Sequence, residues 1–290
     1  MESARIAVIG GSGLYNMPAI SDLGEVQLDT PFGAHSGVIR IGSLGGKRIA
    51  FLPRHGEGHT LSPSTLPYRA NIFALKQLGV RFIIAVNAVG SLCEDYAPGH
   101  IATIDQIIDY TIQTRPRSFF EDGLVAHVSV ADPTSAYLRA IIADAVEAAG
   151  GTAHRGATIL VEDGPRFATR AESHLFRSWG CHLIGMTSAP EAFLAREAEI
   201  AYAALAHVTD FDSWHAHEAD VTSELVIETL IKNIELVRRA LAFALAQIDE
   251  DHIDPAHTAL GTALATPHDA MDATVIDRLR PVLARVLNLD

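Results

Sequence analysis

The 290-residue sequence predicts an α/β fold with a mainly parallel or mixed central β-sheet surrounded by helices. Two observations lead to this prediction. Short apolar runs rich in β-branched residues, among them 5–9, 81–86 and 200–208, alternate with longer segments of helical periodicity. Turns of small and polar residues directly follow several of these runs. Because α/β folds bind ligands at the carboxyl ends of their strands, we expect these turns to form one composite site.

The spacing of apolar residues along the chain predicts the strands and helices in order. Strands are predicted at 5–9, 38–41, 47–52, 81–86, 101–104, 157–161, 183–184 and 200–208. Helices are predicted at 67–78, 135–149, 171–179, 190–199, 222–248 and 273–287. Residues 105–123 are predicted to be a long loop, a kind of segment that usually carries function or a subunit contact.

Composition limits the class of protein and its partners. Hydrophobic residues make up 48% of the chain, so a sizeable core is expected in a single domain over 1–249, with a helical extension over 250–290. The net charge of −13 argues against a nucleic-acid or anionic-membrane surface, because such surfaces bind through basic residues. Cys93 and Cys181 form neither a disulfide framework nor a CxxC motif. No run resembles a signal or membrane segment, so a cytoplasmic location is expected.

The strongest candidate site follows the last long apolar run. Asp210 and Asp212 stand two residues apart, so in an extended chain both side chains face one pocket while Phe211 faces away. Two carboxylates this close repel each other, and one is expected to hold a proton. Such a pair can bind a polar heterocycle and pass it a proton. A solvated turn after the strand is the alternative, given the usual surface position of aspartate.

Three further turns are suited to an anion. Gly10-Gly11-Ser12-Gly13 follows the first strand, where its backbone amides and the Ser12 hydroxyl can approach an anion, although a simple tight turn is the alternative. Its spacing departs from the GxGxxG fingerprint, which argues against a dinucleotide cofactor. Arg54 and His55 lie just past a strand end, and arginine presents a planar fork suited to phosphate. Thr187 lies beside a predicted helix N-terminus, which also favours an anion.

Histidine spacing raises a different possibility. His55 and His59 are four residues apart, as in a zinc-binding helix, but two intervening glycines and the lack of an HExxH order argue against a metal site. A metal-dependent hydrolase that combines these histidines with His215, His217 and the aspartate pair is the alternative from another enzyme class. A non-catalytic nucleotide-binding protein is a further alternative, which the glycine spacing disfavours.

A series of motifs makes the sequence resemble the trimeric purine nucleoside phosphorylases, most closely their 5′-methylthioadenosine phosphorylase branch. In chain order, over roughly residues 5 to 245, the motifs are Ile9-Gly10-Gly11-Ser12-Gly13-Leu14, Asp29-Thr30-Pro31-Phe32-Gly33, Arg54-His55-Gly56 with His59, Tyr68-Arg69-Ala70-Asn71-Ile72, Asn87-Ala88-Val89-Gly90-Ser91-Leu92, Gly164-Pro165-Arg166-Phe167, Gly185-Met186-Thr187 with Pro190-Glu191, and Thr209-Asp210-Phe211-Asp212-Ser213-Trp214. The resemblance implies the nucleoside phosphorylase fold, a mixed sheet with a distorted barrel. It also implies a homotrimer or a dimer of trimers, inorganic phosphate as co-substrate, and neither a cofactor nor a metal.

The resemblance also implies roles for individual residues. The implied phosphate site comprises Ser12, Arg54, His55, the backbone of Ala88, and Thr187. The implied nucleoside site comprises Asn87 and Met186 at the sugar, Phe167 stacked on the base, Asp210 and Asp212 at the base edge, Val226 near the 5′ substituent, and His127 lent by a neighbouring subunit. Asp210 and Asp212 are the candidate catalytic pair. Asp210 is the expected proton donor to N7 of the purine, and burial beside Asp212 would raise its pKa as that role requires.

The base edge indicates the substrate. A 6-amino group donates hydrogen bonds and suits a carboxylate, whereas a 6-oxopurine suits an amide side chain that can donate as well as accept. Two aspartates therefore favour adenine, and the expected reaction is phosphorolysis of 5′-methylthioadenosine to adenine and 5-methylthioribose 1-phosphate. Asn87 stands where that branch usually has threonine and matches the 6-oxopurine relatives. Inosine, guanosine and methylthioinosine are therefore the alternative substrates.

Overall fold

A nine-stranded sheet organises the part of the chain that the structure describes. The structure is a computed structural model and describes residues 3–11, 14, 20–112, 115–121, 123–216 and 221–289. The strands are β1 Ile6–Gly10, β2 Ser21–Val26, β3 Ile39–Leu44, β4 Lys47–Pro53, β5 Phe82–Ser91, β6 Ile101–Asp109, β7 Ala153–Val161, β8 Leu183–Gly185 and β9 Ala201–Asp210. The helices are α1 Tyr68–Gln77, α2 Ala136–Ala148, α3 Arg170–Ser178, α4 Ser188–Glu197, α5 Ser223–Gln247, α6 Ala273–Arg278 and α7 Arg280–Leu287. Within these ranges, no helix has the length and apolar character needed to cross a membrane.

The strand order combines an open sheet with a closed barrel. Hydrogen bonds connect the strands in the order β2-β3-β4-β1-β5-β8-β7-β6-β9, and a further pairing joins β5 to β9. That pairing closes β5, β8, β7, β6 and β9 into a ring. Parallel neighbours such as β5 and β9 occur beside antiparallel ones such as β6 and β9. The predicted α/β fold, with a mixed sheet and a distorted barrel, is confirmed.

Apolar side chains cover both faces of the sheet. On one face α1, α4 and α7 pack onto the strands through residues such as Phe73, Leu194 and Leu283. On the other face α2 and α5 contribute Leu138 and Leu241, among others. Strands covered on both faces read as nearly continuous apolar runs, and β9 is buried at every position. This strand therefore carries the Asp210 carboxyl to its end without leaving the protein interior.

The segment after residue 249 packs against the rest of the chain. Leu260 and Val275 belong to the same core cluster as α1 and α4. The backbone N–H of Leu260 donates to the Glu199 carboxylate at 2.9 Å, and the same carboxylate forms an ion pair with Arg285. The domain boundary at residue 249 stays a prediction, and these contacts are the ones that a truncation there would remove.

The structure differs from the sequence prediction at several elements; β5, for example, continues to Ser91, beyond the predicted strand end at residue 86. The predicted helix at 273–287 is two helices, because Pro281 has no backbone N–H to bond into a continuous helix and the chain breaks at Leu279. Part of the predicted loop at 105–123 is strand, since β6 continues to Asp109. The strand Ser21–Val26 was not predicted, because its residues are mostly polar and largely exposed.

Candidate active site

A cavity of about 650 Å³ lies where the carboxyl ends of β4, β5, β7, β8 and β9 meet, against the first turns of α5. Most of the predicted site residues line it, namely Arg54, His55, Asn87, Ala88, Phe167, Met186, Thr187, Asp210, Asp212 and Val226. A neighbouring cavity of about 460 Å³ shares the wall formed by Arg54, His55, Asn87 and Ala88. The main cavity lies within the roughly 300–1,000 Å³ range of small-molecule sites. The strand ends therefore converge on one site, as the α/β pattern predicts.

Asp210 and Asp212 form the acidic end of the cavity. They are only 6% and 5% exposed, respectively. Asp210 accepts hydrogen bonds from the Thr209 hydroxyl at 2.7 Å and from the Asp212 backbone N–H at 2.9 Å. The predicted extended geometry is wrong at Asp212, because β9 ends at Asp210 and Asp212 has a φ of 48°, in the left-handed region. A tight turn, rather than strand alternation, therefore brings the second carboxyl to the cavity.

Burial controls the protonation of this aspartate pair. It raises the pKa of Asp210 above its usual value, although the hydrogen bonds from Thr209 and Asp212 favour the ionised form. Burial also raises the pKa of Asp212 to about 6, and the adjacent Asp210 carboxylate adds to that increase. A carboxyl with a raised pKa keeps its proton closer to neutral pH. The pair is therefore suited to donate a proton to a ligand.

Arg54 forms the cationic end of the cavity and is 3% exposed; it bonds Val86 of β5, whereas Asp210 pairs with Gly90, four positions further along that strand. Its Nε and Nη2 donate to the two carboxylate oxygens of Glu191 at 2.7 and 2.8 Å, and its Nη1 donates to the Val86 carbonyl at 2.9 Å. The Tyr202 hydroxyl donates to the same Glu191 carboxylate at 2.9 Å. Glu191 thus occupies the bidentate edge of the guanidinium that the sequence suggested for phosphate. Two N–H groups of Arg54, one on Nη1 and one on Nη2, stay available for an anion.

His55 lies beside Arg54 as a neutral imidazole. Its Nδ1 is 2.9 Å from the Leu61 carbonyl, so Nδ1 carries the hydrogen and Nε2 is an acceptor. Burial lowers the pKa of His55 to about 4, and the positive charge of Arg54 contributes to the decrease. The ring stacks on His59 with 4.3 Å between the ring centroids. A neutral His55 can accept a hydrogen bond from a protonated oxygen of an anion.

Asn87 and Thr187 form a polar contact in the cavity wall. The amide Nδ2 of Asn87 donates to the Thr187 hydroxyl at 2.9 Å, which leaves the hydroxyl hydrogen of Thr187 to bond another acceptor. Thr187 immediately precedes Ser188, the first residue of α4, but Ala189 is non-helical, so the regular part of this helix begins at Pro190. The Oδ1 atom of Asn87 is buried and has no hydrogen-bond partner in the described ranges. These two side chains therefore offer a ligand one donor and one acceptor.

Apolar side chains line the space between the acidic and cationic ends. Phe167 and Met186 come from the loops after β7 and β8, and Val226, Ile227 and Leu230 project from α5. An aromatic ring and a thioether form favourable contacts with a planar heterocycle or a sugar face. The α5 wall presents these aliphatic groups together with Ser223 in the first turn of the helix, the one α5 lining residue with a hydroxyl.

Arg115 holds two loops of the cavity and was not predicted as a site residue. Its Nη1 donates to the carbonyls of Met186 at 2.8 Å and Ala189 at 2.9 Å, and its Nη2 donates to the Asp163 carbonyl at 2.7 Å. One guanidinium, only 3% exposed, therefore ties the loop after β7 to the start of α4. No local sequence pattern indicates this role, because the partners are distant backbone carbonyls. Glu162 is a second unpredicted member of the cavity lining.

Two predicted site residues are not among the described residues that line the cavity. Ser12 lies outside the described residues. His127 is exposed at the surface, where its backbone N–H donates to the Ala263 carbonyl at 2.8 Å. It is not part of the lining of this chain's own cavity.

The described histidines of the metal hypothesis do not all line the cavity. His55 and His59 line the cavity, whereas His215 pairs with Glu94 at 3.5 Å and His217 lies outside the described residues. Where the chain is described, no group of three or more His, Cys, Asp or Glu side chains is arranged to hold a metal ion.

The described residues thus form an α/β protein with a closed barrel and one cavity lined by both cationic and acidic side chains. The chain belongs to the phosphorylase superfamily, whose family model matches residues 5–246. The family that the ordered motifs predict is therefore confirmed.

Individual relatives match over nearly the full chain. S-methyl-5′-thioadenosine phosphorylase of Chloroflexus aurantiacus is 54% identical over 285 residues, which cover 98% of this chain and 99% of the relative. The enzyme of the same name from Geobacter sulfurreducens is 47% identical over 274 residues, or 94% of this chain and 96% of the relative. A crystal structure of methylthioadenosine phosphorylase from an antarctic soil metagenomic library matches with a TM-score of 0.93 and 48% identity, covering 98% of this chain and 100% of that one. The nucleoside phosphorylase fold is therefore confirmed.

Proposed function

We propose that this protein catalyses the phosphorolysis of 5′-methylthioadenosine to adenine and 5-methylthio-α-D-ribose 1-phosphate, with inorganic phosphate as co-substrate. The observation that carries this proposal is one cavity lined by Arg54 and Thr187, which bond Val86 and Asn87 of β5, and by Asp210, which pairs with Gly90 further along the same strand. The names of the relatives agree with this substrate. The aliphatic side chains of Val226, Ile227 and Leu230 suit a 5′-methylthio group, whereas a 5′-hydroxyl beside them would depend on the Ser223 hydroxyl for a hydrogen bond.

Phosphate would bind at the cationic end. Breaking the C–N glycosidic bond builds positive charge on the sugar, and bound phosphate both stabilises that charge and attacks C1′. Its oxygens would bond the available N–H groups of Arg54, the Thr187 hydroxyl, the Ala88 backbone and Ser12. The acceptor Nε2 of His55 would take the hydrogen of a hydrogen phosphate, which leaves an unprotonated oxygen for the attack.

Proton donation would occur at the acidic end. The purine leaves more readily when its N7 gains a proton, and we assign Asp210 as the donor because burial raises its pKa. The Thr209 and Asp212 hydrogen bonds would hold its carboxyl in a fixed orientation. Phe167 would stack on the base, and Asp212 would accept from the 6-amino group. Asn87 Oδ1, which lacks a partner in the described part of the chain, would accept from a sugar hydroxyl.

We propose that the enzyme works as a homotrimer in the cytoplasm, without an organic cofactor or metal. In this arrangement His127 would reach the 5′ end of a neighbouring subunit's nucleoside. Its exposed position on the surface, away from its own chain's cavity, is compatible with that role. Sedimentation equilibrium would measure the subunit number directly. Activity that survives His127→Ala in a trimer would argue against the shared site.

The test of the reaction is product analysis with and without phosphate. We expect adenine to form from 5′-methylthioadenosine only when phosphate is present, and the sugar product to carry that phosphate. Adenine release without phosphate would identify a hydrolase instead. Faster turnover of inosine, guanosine or methylthioinosine would assign the enzyme to 6-oxopurines. Loss of activity with a chelator, restored by a divalent ion, would support the metal-dependent alternative.

Arg115→Lys is expected to lower kcat/KM for 5′-methylthioadenosine by about tenfold to 10²-fold, since small displacements of positioning loops have effects of this size. Lysine keeps the positive charge but cannot bond the Met186, Ala189 and Asp163 carbonyls with one planar fork. Steady-state kinetics would measure the change. The control is Arg117→Lys, because the Arg117 side chain is 51% exposed and its hydrogen bonds are to Thr111, outside the cavity lining. Equal effects of both variants would contradict a positioning role for Arg115.

A further inference from the structure

A third carboxyl faces the acidic end of the cavity. Glu162 directly follows β7 and is 7% exposed. It lines the main cavity together with Asp210 and Asp212. It also lines an adjacent cavity of about 290 Å³ that includes Tyr110. The Glu162 carboxyl therefore lies in the wall between the base end of the site and a second, smaller space.

The Glu162 carboxyl has no partner in the described part of the chain. Its backbone N–H donates to the Gly185 carbonyl at 2.9 Å, and its backbone carbonyl accepts from Arg115 at 3.4 Å. Across the described ranges, neither a hydrogen bond nor an ion pair reaches its side-chain oxygens. Asp210, by contrast, accepts from two protein donors, while Asp212 Oδ2 is buried without a partner among the described residues. The Glu162 oxygens are not among the buried unpartnered atoms, so they stay accessible, and in a largely buried residue that lines two cavities they are placed to bond a ligand.

Charged neighbours surround Glu162 on several elements. Burial raises its pKa to about 7, and the negative charge of Asp212 at the end of β9 is the next cause. Glu172 on α3 and Asp163 on the same loop add to the increase, while Arg166 opposes it. Near neutral pH, Glu162 therefore populates both forms. The neutral acid can donate one hydrogen bond and accept others, whereas the ionised form can only accept.

We propose that Glu162 hydrogen-bonds the Watson–Crick edge of the substrate base and that its neutral form selects a 6-aminopurine. This proposal rests on the proposed function, because it assumes that the base lies at the acidic end. Adenine presents an amino donor beside the ring acceptor N1, which match the carbonyl oxygen and the hydroxyl of one neutral carboxyl. A 2-amino-6-oxopurine presents two adjacent donors, N1–H and the 2-amino group, which match an ionised carboxylate.

The geometry of adenine gives the three carboxyls separate positions. The 6-amino group has two hydrogens, one on the N7 side and one on the N1 side. Asp210 and Asp212 would contact N7 and the hydrogen beside it. Glu162 would then contact N1 and the second hydrogen. This division accounts for why the cavity keeps a third, unpaired carboxyl when two already provide the N7 contact.

Adenine binding tests this assignment without any turnover. Titration calorimetry in phosphate-free buffer would give the adenine Kd of the unmodified protein and of Glu162→Gln at about pH 6 and about pH 8. Over this interval the neutral fraction of a group with pKa about 7 falls by about tenfold. We expect the adenine affinity of the unmodified protein, relative to that of Glu162→Gln, to fall by a similar factor. The contribution from Asp210 is common to both proteins and largely cancels in this ratio.

Glu197→Gln is the matched control. Glu197 is also buried, and burial raises its pKa to about 7, but its carboxylate accepts from Ser118 and Phe119 outside the cavity lining. The adenine affinity of Glu197→Gln, relative to that of the unmodified protein, should not change between the two pH values. A ratio for Glu162→Gln that is constant with pH would overturn the proposal.

Further outcomes distinguish a failure of the Glu162 base contact from a variant that does not fold and from a failure of the proposed function. If Glu162→Gln fails to fold, Glu162→Asp replaces it, and adenine binding that is as tight as in the unmodified protein would overturn the contact. Absence of phosphorolysis, with pH-dependent adenine binding that requires Glu162, would overturn the proposed function and support the base contact. Phosphorolysis of 5′-methylthioadenosine, combined with an adenine-affinity ratio of unmodified protein to Glu162→Gln that does not change with pH, would support the proposed function and overturn the base contact.

Discussion

Asp210→Asn is expected to lower kcat for 5′-methylthioadenosine by about 10²–10⁴-fold, the usual contribution of a general acid. The amide keeps the shape of the carboxyl and can still accept the Thr209 hydrogen bond. It has no acidic proton for N7, so the purine must leave with its charge unrelieved. Single-turnover kinetics at saturating phosphate would isolate this step from product release.

The pH profile and the substrate preference give independent checks on Asp210. An acid acts only while protonated, so kcat of the unmodified enzyme should fall as pH rises through the raised pKa of Asp210. Asp210→Asn should lack that decrease.

The Asp210→Asn variant should also lose less activity on inosine than on 5′-methylthioadenosine, because an amide can donate to the 6-oxo group. Asp212→Asn retains Asp210 as the proton donor, so its kcat should fall by less than that of Asp210→Asn. Equal losses for both variants, or an unchanged base preference, would remove the assignment of N7 protonation to Asp210.

The positions that sequence reasoning found share one property: they lie immediately beyond a predicted strand. Arg54 follows β4, Asn87 and Ala88 lie near the end of β5, and Asp210 ends β9. In an α/β sheet the ends of neighbouring strands are close in space, so local patterns are enough to identify members of one site. The motif order then indicated the family. The α/β class, the mixed sheet and the barrel were predictable for this reason.

The residues that were missed act through partners far away in the chain. Arg115 bonds the Met186 carbonyl 71 positions later, and Glu191 pairs with Arg54 across 137 positions. Neither interaction leaves a local pattern, because backbone carbonyls are present at every residue and Glu191 looks like an ordinary first-turn helix residue. Asp212 shows a related limit. Its position two residues after Asp210 suggested an extended strand, yet a left-handed turn brings it to the cavity.

Glu191→Gln is expected to lower the free energy of unfolding by about 3–5 kcal/mol, the usual effect of removing one partner from a buried ion pair. Glu191 is 1% exposed, and its carboxylate is the bidentate partner of Arg54 and the acceptor for Tyr202. The amide cannot neutralise the guanidinium, which stays buried with its charge uncompensated. Urea denaturation in phosphate-free buffer would measure the loss. The control is Asp144→Asn in the exposed pair with Arg155, for which a change within about 0.5 kcal/mol is expected.

Phosphate should restore part of the stability lost in Glu191→Gln. A ligand that binds only the folded state stabilises it in proportion to its affinity, and an uncompensated Arg54 should attract a phosphate dianion more strongly than a neutralised one. Added phosphate should therefore raise the stability of Glu191→Gln by more than it raises that of the unmodified protein. Tighter phosphate binding should not bring faster turnover, because Glu191 also fixes the direction in which the remaining N–H groups of Arg54 point. A variant that gains no more from phosphate than the unmodified protein would place the anion away from Arg54, and the cationic end of the cavity would then need another occupant.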